Sequence, residues 1–263
     1  MIPRAHIFEW QKHAPWKTNA QIEQDMIIER ALVELFSDDF LRENLAFRGG
    51  TALHKLYFNP QARYSEDIDL VQIKPGNIHP ILKQIRKKLD FLGQKRSVKA
   101  NEKMNTMVYR FDTEIQPVIN SRLKVEINCR EHFSVFGFQK QSHEINSSWF
   151  SGEASLNTYS LEELLGTKMR ALYQRKKGRD LFDLYYALTN TDIDSQQVIE
   201  AYKAYMNFSN KNYKSSKEYL HNLEDKMTDT DFLGDMTALL RPGIVYDVNK
   251  AYELVKTTLI EKI

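Results

Sequence analysis

A chain of 263 residues, 42% hydrophobic and 11% aromatic, can bury a sizeable core in one large domain or two small ones. Its 37 basic and 35 acidic side chains nearly cancel, for a formal charge of +2, so any polyanion-binding surface must come from local clustering. Cys129 is the sole cysteine, which excludes an intrachain disulfide framework and suits a reducing compartment. Met1–Phe8 lacks the continuous apolar run of a signal peptide, and no stretch approaches the roughly 20 apolar residues of a membrane span. A cytoplasmic protein with no membrane partner is the expectation.

After an aromatic lead of Phe8, Trp10 and Trp16, the residues Ile22, Met26, Val33 and Phe36 recur at helical spacing, with Thr18 or Asn19 as cap. Leu45–Arg48 reads as a short strand ending in Gly49-Gly50, Thr51–Phe58 as a helical piece, Asn59-Pro60 as a turn and Asp67–Ile73 as a second strand. Residues 78–92 form a basic helix with Ile78, Ile81, Leu82, Ile85 and Leu89 as its apolar stripe; Met107–Phe111 and Leu123–Asn128 alternate as half-buried strands do. Beyond about Ser151 strand signals fade. Helices are predicted near 160–175, 179–190, 195–207, 212–227 and 246–262. The order of elements favours α+β over a regular parallel α/β sheet, with an α/β domain over 1–150 and a helical domain over 151–263.

The segment Arg63-Tyr64-Ser65-Glu66-Asp67-Ile68-Asp69-Leu70-Val71 carries the most chemistry. On a strand Asp67 and Asp69 share a face, and their repulsion has to be neutralised by a cation or a basic side chain. Magnesium takes carboxylate oxygens and completes its shell with substrate phosphates, which suits phosphoryl or nucleotidyl transfer. An exposed edge bearing two solvated carboxylates would look the same in isolation. Upstream, Gly49-Gly50-Thr51 at a strand end lets backbone N–H groups approach a triphosphate, or makes a plain tight turn. On Leu123–Asn128, Val125 and Ile127 face one side and Lys124, Glu126 and Asn128 the other, so Glu126 either completes a three-carboxylate metal site or faces solvent.

Ser160 and Glu163 open a helix as a capping box. Lys168 then falls where the stripe of Leu161, Leu164, Leu165 and Leu172 calls for an apolar residue. A lysine there meets an anion (a triphosphate or the aspartates) or snorkels from the edge of the stripe. Gly178 is expected to end one helix and let the next, with Asp180 and Asp183, turn back. Residues 168–179 hold six basic groups and no acidic one, and residues 83–103 hold eight basic and two acidic; two such clusters point to a polyanionic substrate.

Taken together, Phe47-Arg48-Gly49-Gly50-Thr51-Ala52-Leu53, Arg63 to Leu70, Lys168-Met169-Arg170-Ala171-Leu172 and Gly178-Arg179-Asp180-Leu181-Phe182-Asp183-Leu184-Tyr185 resemble the AbiEii/AbiGii nucleotidyltransferase toxin family over about residues 20–190. The resemblance implies a polymerase-β-like nucleotidyltransferase domain with a small mixed sheet, followed by a helical half that contributes Lys168 and Asp180/Asp183 to the cleft. It implies a toxin of type IV toxin–antitoxin and phage-defence systems, related to the MenT-type toxins that add nucleotides to tRNA 3′ ends and stop translation. By motif, Asp67, Asp69, Lys168, Asp183 and Asp180 would be catalytic. Gly49, Gly50, Thr51, Ser65 and Lys168 would bind the nucleoside triphosphate, and Asp67 and Asp69 would hold Mg2+ or Mn2+, with Glu126 as third ligand. The implied partners are RNA, most of all tRNA, and a cognate antitoxin protein. A kinase-like phosphotransferase and a non-catalytic nucleotide-binding module are the alternatives that the same residues allow.

Overall fold

The strands on either side of the double glycine become neighbours. β1 (Leu45–Arg48) and β2 (Asp67–Gln72) pair antiparallel, with Arg48 opposite Asp69. The computed structural model describes residues 2–208 and 212–263; Met1 and residues 209–211 lie outside the described residues. β2 also pairs in parallel with β5 (Asn120–Asn128), which runs antiparallel to β4 (Met104–Asp112), and β4 pairs with β3 (Arg96–Ala100). On its other edge β1 runs parallel to β7 (Ser151–Thr158), whose antiparallel partner is β6 (Gln139–Asn146). The mixed sheet therefore has seven strands in the order β3-β4-β5-β2-β1-β7-β6.

The fold is α+β, as expected, but strands continue to Thr158, past the point near Ser151 where their signals fade. The reason lies in composition. β6 (QKQSHEIN) and β7 (SGEASLNT) bury only His143, Ile145, Ala154, Leu156 and Thr158, too weak an alternation to read without a partner strand. β3 is basic and largely exposed, and sequence reasoning missed it for the same reason.

Two compact units divide the chain. One comprises Met1–Phe133 with Phe138–Tyr159, the other Ser134–Gly137 with Ser160–Ile263. In the sheet unit, Ile68, Leu70, Met107, Tyr109, Leu123, Val125 and Ile127 are all buried on one face. α1 (Arg4–Trp10), α2 (Asn19–Phe36), α3 (Asp39–Asn44) and α5 (His79–Lys88) belong to this layer, while α4 (Gly49–Ala52) continues from β1. Thr18 caps α2 in a full capping box with Gln21. Lys55, in the π-helical turn Leu53–Tyr57 that follows α4, places its buried ammonium 2.5 Å from Asp25 Oδ1 and 2.7 Å from Glu29 Oε1. Trp10 Nε1 donates to Asp25 Oδ2 at 2.9 Å, and His143 Nε2 lies 2.6 Å from Glu29 Oε2. Burial alone would raise the Glu29 carboxyl, but Lys55 and His143 together hold it well below the usual range. This paired cluster fixes α2 to the segment leaving the double glycine.

The helical unit contains α6 (Leu161–Gln174), α7 (Gly178–Asn190), α8 (Ser195–Phe208), α9 (Ser216–Met227), α10 (Thr230–Gly234) and α11 (Val248–Thr258). The five predicted helices are present, and α10 is added. Two local expectations change. Gly178 starts α7, and a Cβ on it would lie 2.2 Å from the Phe232 carbonyl oxygen, so close approach of α10 demands glycine there. Ser160 caps α6 by accepting from Glu163 N, but the Glu163 carboxylate does not reach back to complete the box. It accepts instead from Ser134 Oγ (2.6 Å), Val135 N (2.8 Å), Phe136 N (3.2 Å) and Tyr205 Oη (2.7 Å). Four donors satisfy this fully buried side chain, whose polar atoms would otherwise be costly there.

Glu23 on α2 is fully buried and accepts from Glu114 N at 3.0 Å; burial pushes its carboxyl up to about 7. A raised carboxyl leaves the folded state holding more protons than the unfolded chain between about pH 4.5 and 7, so stability falls as pH rises through that window. Glu23→Gln removes the ionisation. It should raise the Tm at pH 8 by an amount worth up to ~3 kcal/mol, at about 1.4 kcal/mol per pKa unit, and the gain should vanish near pH 4.5.

Candidate active site

Alternation along β2 buries Ile68 and Leu70 and leaves Asp67 and Asp69 half-buried on the opposite, open face. Gly49 adopts φ +79, and a Cβ on it would fall 2.2 Å from Asp69 Oδ2. Both the left-handed backbone and the closeness of the carboxylate therefore require glycine at this position. Thr51 is buried; its hydroxyl lies 2.7 Å from Ser65 Oγ and donates to the Asp67 carbonyl. The Gly49–Thr51 turn thus lies directly against β2, with Ser65 half-buried beside it.

The parallel register with β5 sets Lys124 opposite Asp67 and Glu126 opposite Asp69. Lys124 Nζ lies 2.9 Å from Asp67 Oδ2 and 3.3 Å from Glu126 Oε2. Burial would depress this ammonium, but hydrogen bonds and charge from Asp67 and Glu126 outweigh it and hold Lys124 above the ordinary lysine value. Side-chain parity in the sequence already put Lys124 and Glu126 on one face, but nothing in the sequence revealed the strand register that brings them to Asp67 and Asp69.

Magnesium characteristically takes one or two carboxylates and fills its shell with water and phosphate oxygens. Two partly exposed carboxylates one pleat apart, with no soft donor beside them, fit that requirement. Among the described residues no group of three or more His, Cys, Asp or Glu side chains is gathered to hold a metal. Glu126, directly opposite Asp69, is engaged by Lys124 and by Thr106 Oγ1 at 3.3 Å. Cavities of about 530 Å³ near Asp194, Glu200 and Lys203, and about 620 Å³ near Asp38, Lys83 and Lys88, include none of these residues.

In the helical unit Lys168 is buried, as its place in the α6 stripe requires. Its ammonium lies 3.0 Å from Asp180 Oδ1 and 2.7 Å from Asp183 Oδ2. Arg175 grips Asp180 from the other side through Nε (2.7 Å) and Nη2 (2.9 Å). Burial opposes ionisation of Asp180, yet Lys168 and Arg175 keep its carboxyl below the usual value.

Structure also separates the two basic clusters. Lys176 pairs with Asp229, and Lys177 and Arg179 with Asp235, while Arg170 lies over the Tyr205 ring. With Lys168 and Arg175 committed to Asp180, the 168–179 run is compensated within its own unit, in part by Asp229 and Asp235, which a local sequence window could not see. By contrast Lys83, Arg86, Lys87, Lys99 and Lys103 form no ion pair among the described residues. Replacing Lys168 with Met withdraws an ammonium from two fully buried carboxylates and should lower stability in urea unfolding by roughly 3–5 kcal/mol. Lys168→Arg, which keeps the charge, should lose distinctly less.

A profile described as nucleotidyl transferase AbiEii toxin, Type IV TA system, matches residues 30–253. No curated protein matches the sequence. The nucleotidyltransferase toxin MenT4 of Mycobacterium tuberculosis H37Rv superposes with a TM-score of 0.56 at 14% identity, covering 97% of this chain and 99% of its own. A crystal structure from H. pylori described as a nucleotidyltransferase gives 0.54 at 18% identity, over 93% of this chain and 96% of its own. These likenesses carry the fold. Among the described residues no helix is long and apolar enough to cross a membrane. With the profile spanning both units, the chain belongs to the AbiEii nucleotidyltransferase toxin family of type IV toxin–antitoxin systems.

Proposed function

We propose that this nucleotidyltransferase transfers a nucleoside monophosphate from a triphosphate to RNA, with the 3′ end of tRNA as acceptor, and so blocks translation in the cytoplasm as part of phage defence. A cognate antitoxin protein would restrain it. The observation that carries the reading is the pairing of Asp67 and Asp69 on the open face of β2, with the Gly49 backbone pressed against Asp69.

In the reaction the acceptor hydroxyl oxygen forms a bond to the α-phosphorus, and the bond from that phosphorus to the bridging β-oxygen breaks. Pyrophosphate leaves with the electron pair, and the hydroxyl proton passes to one of the carboxylates. Gly49, Gly50 and Ser65 line the triphosphate, with Thr51 holding Ser65 and the Asp67 backbone in place. A divalent cation, Mg2+ or Mn2+, held by Asp67 and Asp69 supplies neutralisation of the phosphate charge. From the helical unit, Lys168, Asp180 and Asp183 are required for transfer, Asp180 positioning Lys168 together with Asp183.

The test is incubation of the protein with total RNA and each labelled triphosphate in turn, with magnesium. Label should enter RNA of tRNA size; a mass gain of one phosphoryl group on a protein would overturn the assignment. Asp67→Asn and Asp69→Asn should each lose about two orders of magnitude or more in transfer, matching several kcal/mol of lost charge stabilisation. Apo stability should move by less than about 1 kcal/mol, because a partly exposed pair such as Asp67–Lys124 contributes little. Magnesium with triphosphate should raise the wild-type Tm and do much less for either variant. Expression of the wild type should arrest bacterial growth, and the two variants should be harmless.

A further inference from the structure

The register of the sheet lays out the open face beside Asp67 and Asp69 row by row. One row runs Asp67, Lys124, Val108, Ser97, and the next Asp69, Glu126, Thr106, Lys99. One pleat before the Asp67 row, about 7 Å along the strands, Arg122 on β5 stands directly opposite Arg110 on β4. Arg110 N donates to the Lys95 carbonyl at 2.8 Å, so Lys95 continues this row to the outer edge of the sheet. All three side chains are exposed.

Two arginines as direct cross-strand partners repel each other, and such pairs destabilise a sheet. Little within the protein offsets this one. Among the described residues Arg122 has no side-chain hydrogen bond or ion pair, Arg110 Nη1 reaches Ser97 Oγ at 3.2 Å, and Lys95 lies 3.7 Å from the exposed Asp112. The contrast with the helical unit is direct, since the basic side chains from Lys168 to Arg179 all have partners there. An exposed row of two guanidinium forks that form no ion pair among the described residues, continued by an ammonium held only by the exposed Asp112, matches phosphate oxygens in both charge and geometry. The rows carry no aromatic side chain on which a base could stack, so they suit a backbone and not a base sequence.

We infer that Arg122, Arg110 and Lys95 form the ledge on which the phosphodiester backbone of a single-stranded acceptor RNA lies, leading from the edge of the sheet to the Asp67–Asp69 pair. The inference rests on the RNA-acceptor reading and specifies where that RNA docks. Of the basic cluster at 83–103, Lys95 lies in this row and Lys99 in the row of Asp69.

RNA binding by fluorescence anisotropy across a salt series, with the full chain, tests this. The double variant Arg110→Gln/Arg122→Gln should bind a tRNA 3′-end oligonucleotide at least about tenfold more weakly. Its log K against log salt should be shallower by roughly 1.4, at about 0.7 per single-strand phosphate contact. KM for RNA should rise while the Tm increase given by magnesium and triphosphate stays at the wild-type value. Arg110→Glu separates binding from folding: it turns a repulsive cross-strand pair into an attractive one, so its Tm should equal or exceed the wild type while RNA affinity falls. Wild-type affinity and salt slope in both variants would overturn the ledge and leave the RNA reading intact. A wild-type protein that neither binds RNA nor labels it would overturn the reading, and the ledge with it.

Discussion

Two carboxylates on successive same-face positions of one strand repel each other, and the sheet unit is organised around containing that repulsion. The parallel partner β5 brings the Lys124 ammonium to Asp67 and Glu126, so an internal cation offsets part of that repulsion. Gly49 keeps the Asp69 side free of any Cβ, and Thr51 binds the backbone of β2 from below. Further back, the buried Lys55–Asp25–Glu29 cluster ties α2 to the segment leaving the double glycine. Together these contacts hold the pair in place on the open face of β2.

The fate of each charge follows from burial. Buried ionisable side chains are matched inside the fold: Lys168 by two aspartates, Asp180 also by Arg175, Glu163 by four hydrogen-bond donors. Leaving any of them unmatched would cost several kcal/mol. Exposed charges bear no such penalty, so the open face of the sheet tolerates Arg110 opposite Arg122. Compensation, and not local density, distinguishes the two basic stretches, although the sequence presents them as equals.

What was legible in the sequence follows the same division. Asp67 and Asp69 were readable because a period of two decides their face whatever the strand pairs with. Lys168 was readable because a lysine interrupts an otherwise apolar period on α6. The five longer helices of the second half were readable from their stripes. The partners of these groups were not. Lys124 meets Asp67 through a register between strands more than fifty residues apart, and Asp229 and Asp235 reach the basic run from a distant helix. β6 and β7 escaped notice because edge and polar strands take their pairing from neighbours more than from their own alternation. Glu163 looked like half of a cap because the capping pattern describes a backbone position and says nothing of a competing set of donors.

The loop that Glu163 holds is also a fact about chain order. Ser134–Gly137 belongs to the helical unit although it precedes β6 and β7 in the chain, and its backbone donors are claimed by a carboxylate on α6. The two units are therefore interleaved along the gene. A fragment ended at Tyr159 would lack the acceptor for those amides, and a fragment begun at Ser160 would present Glu163 with three of its four donors missing. A boundary drawn at Ser160 therefore separates Glu163 from the loop that satisfies it, and the helical half is a complete unit only with Ser134–Gly137 attached.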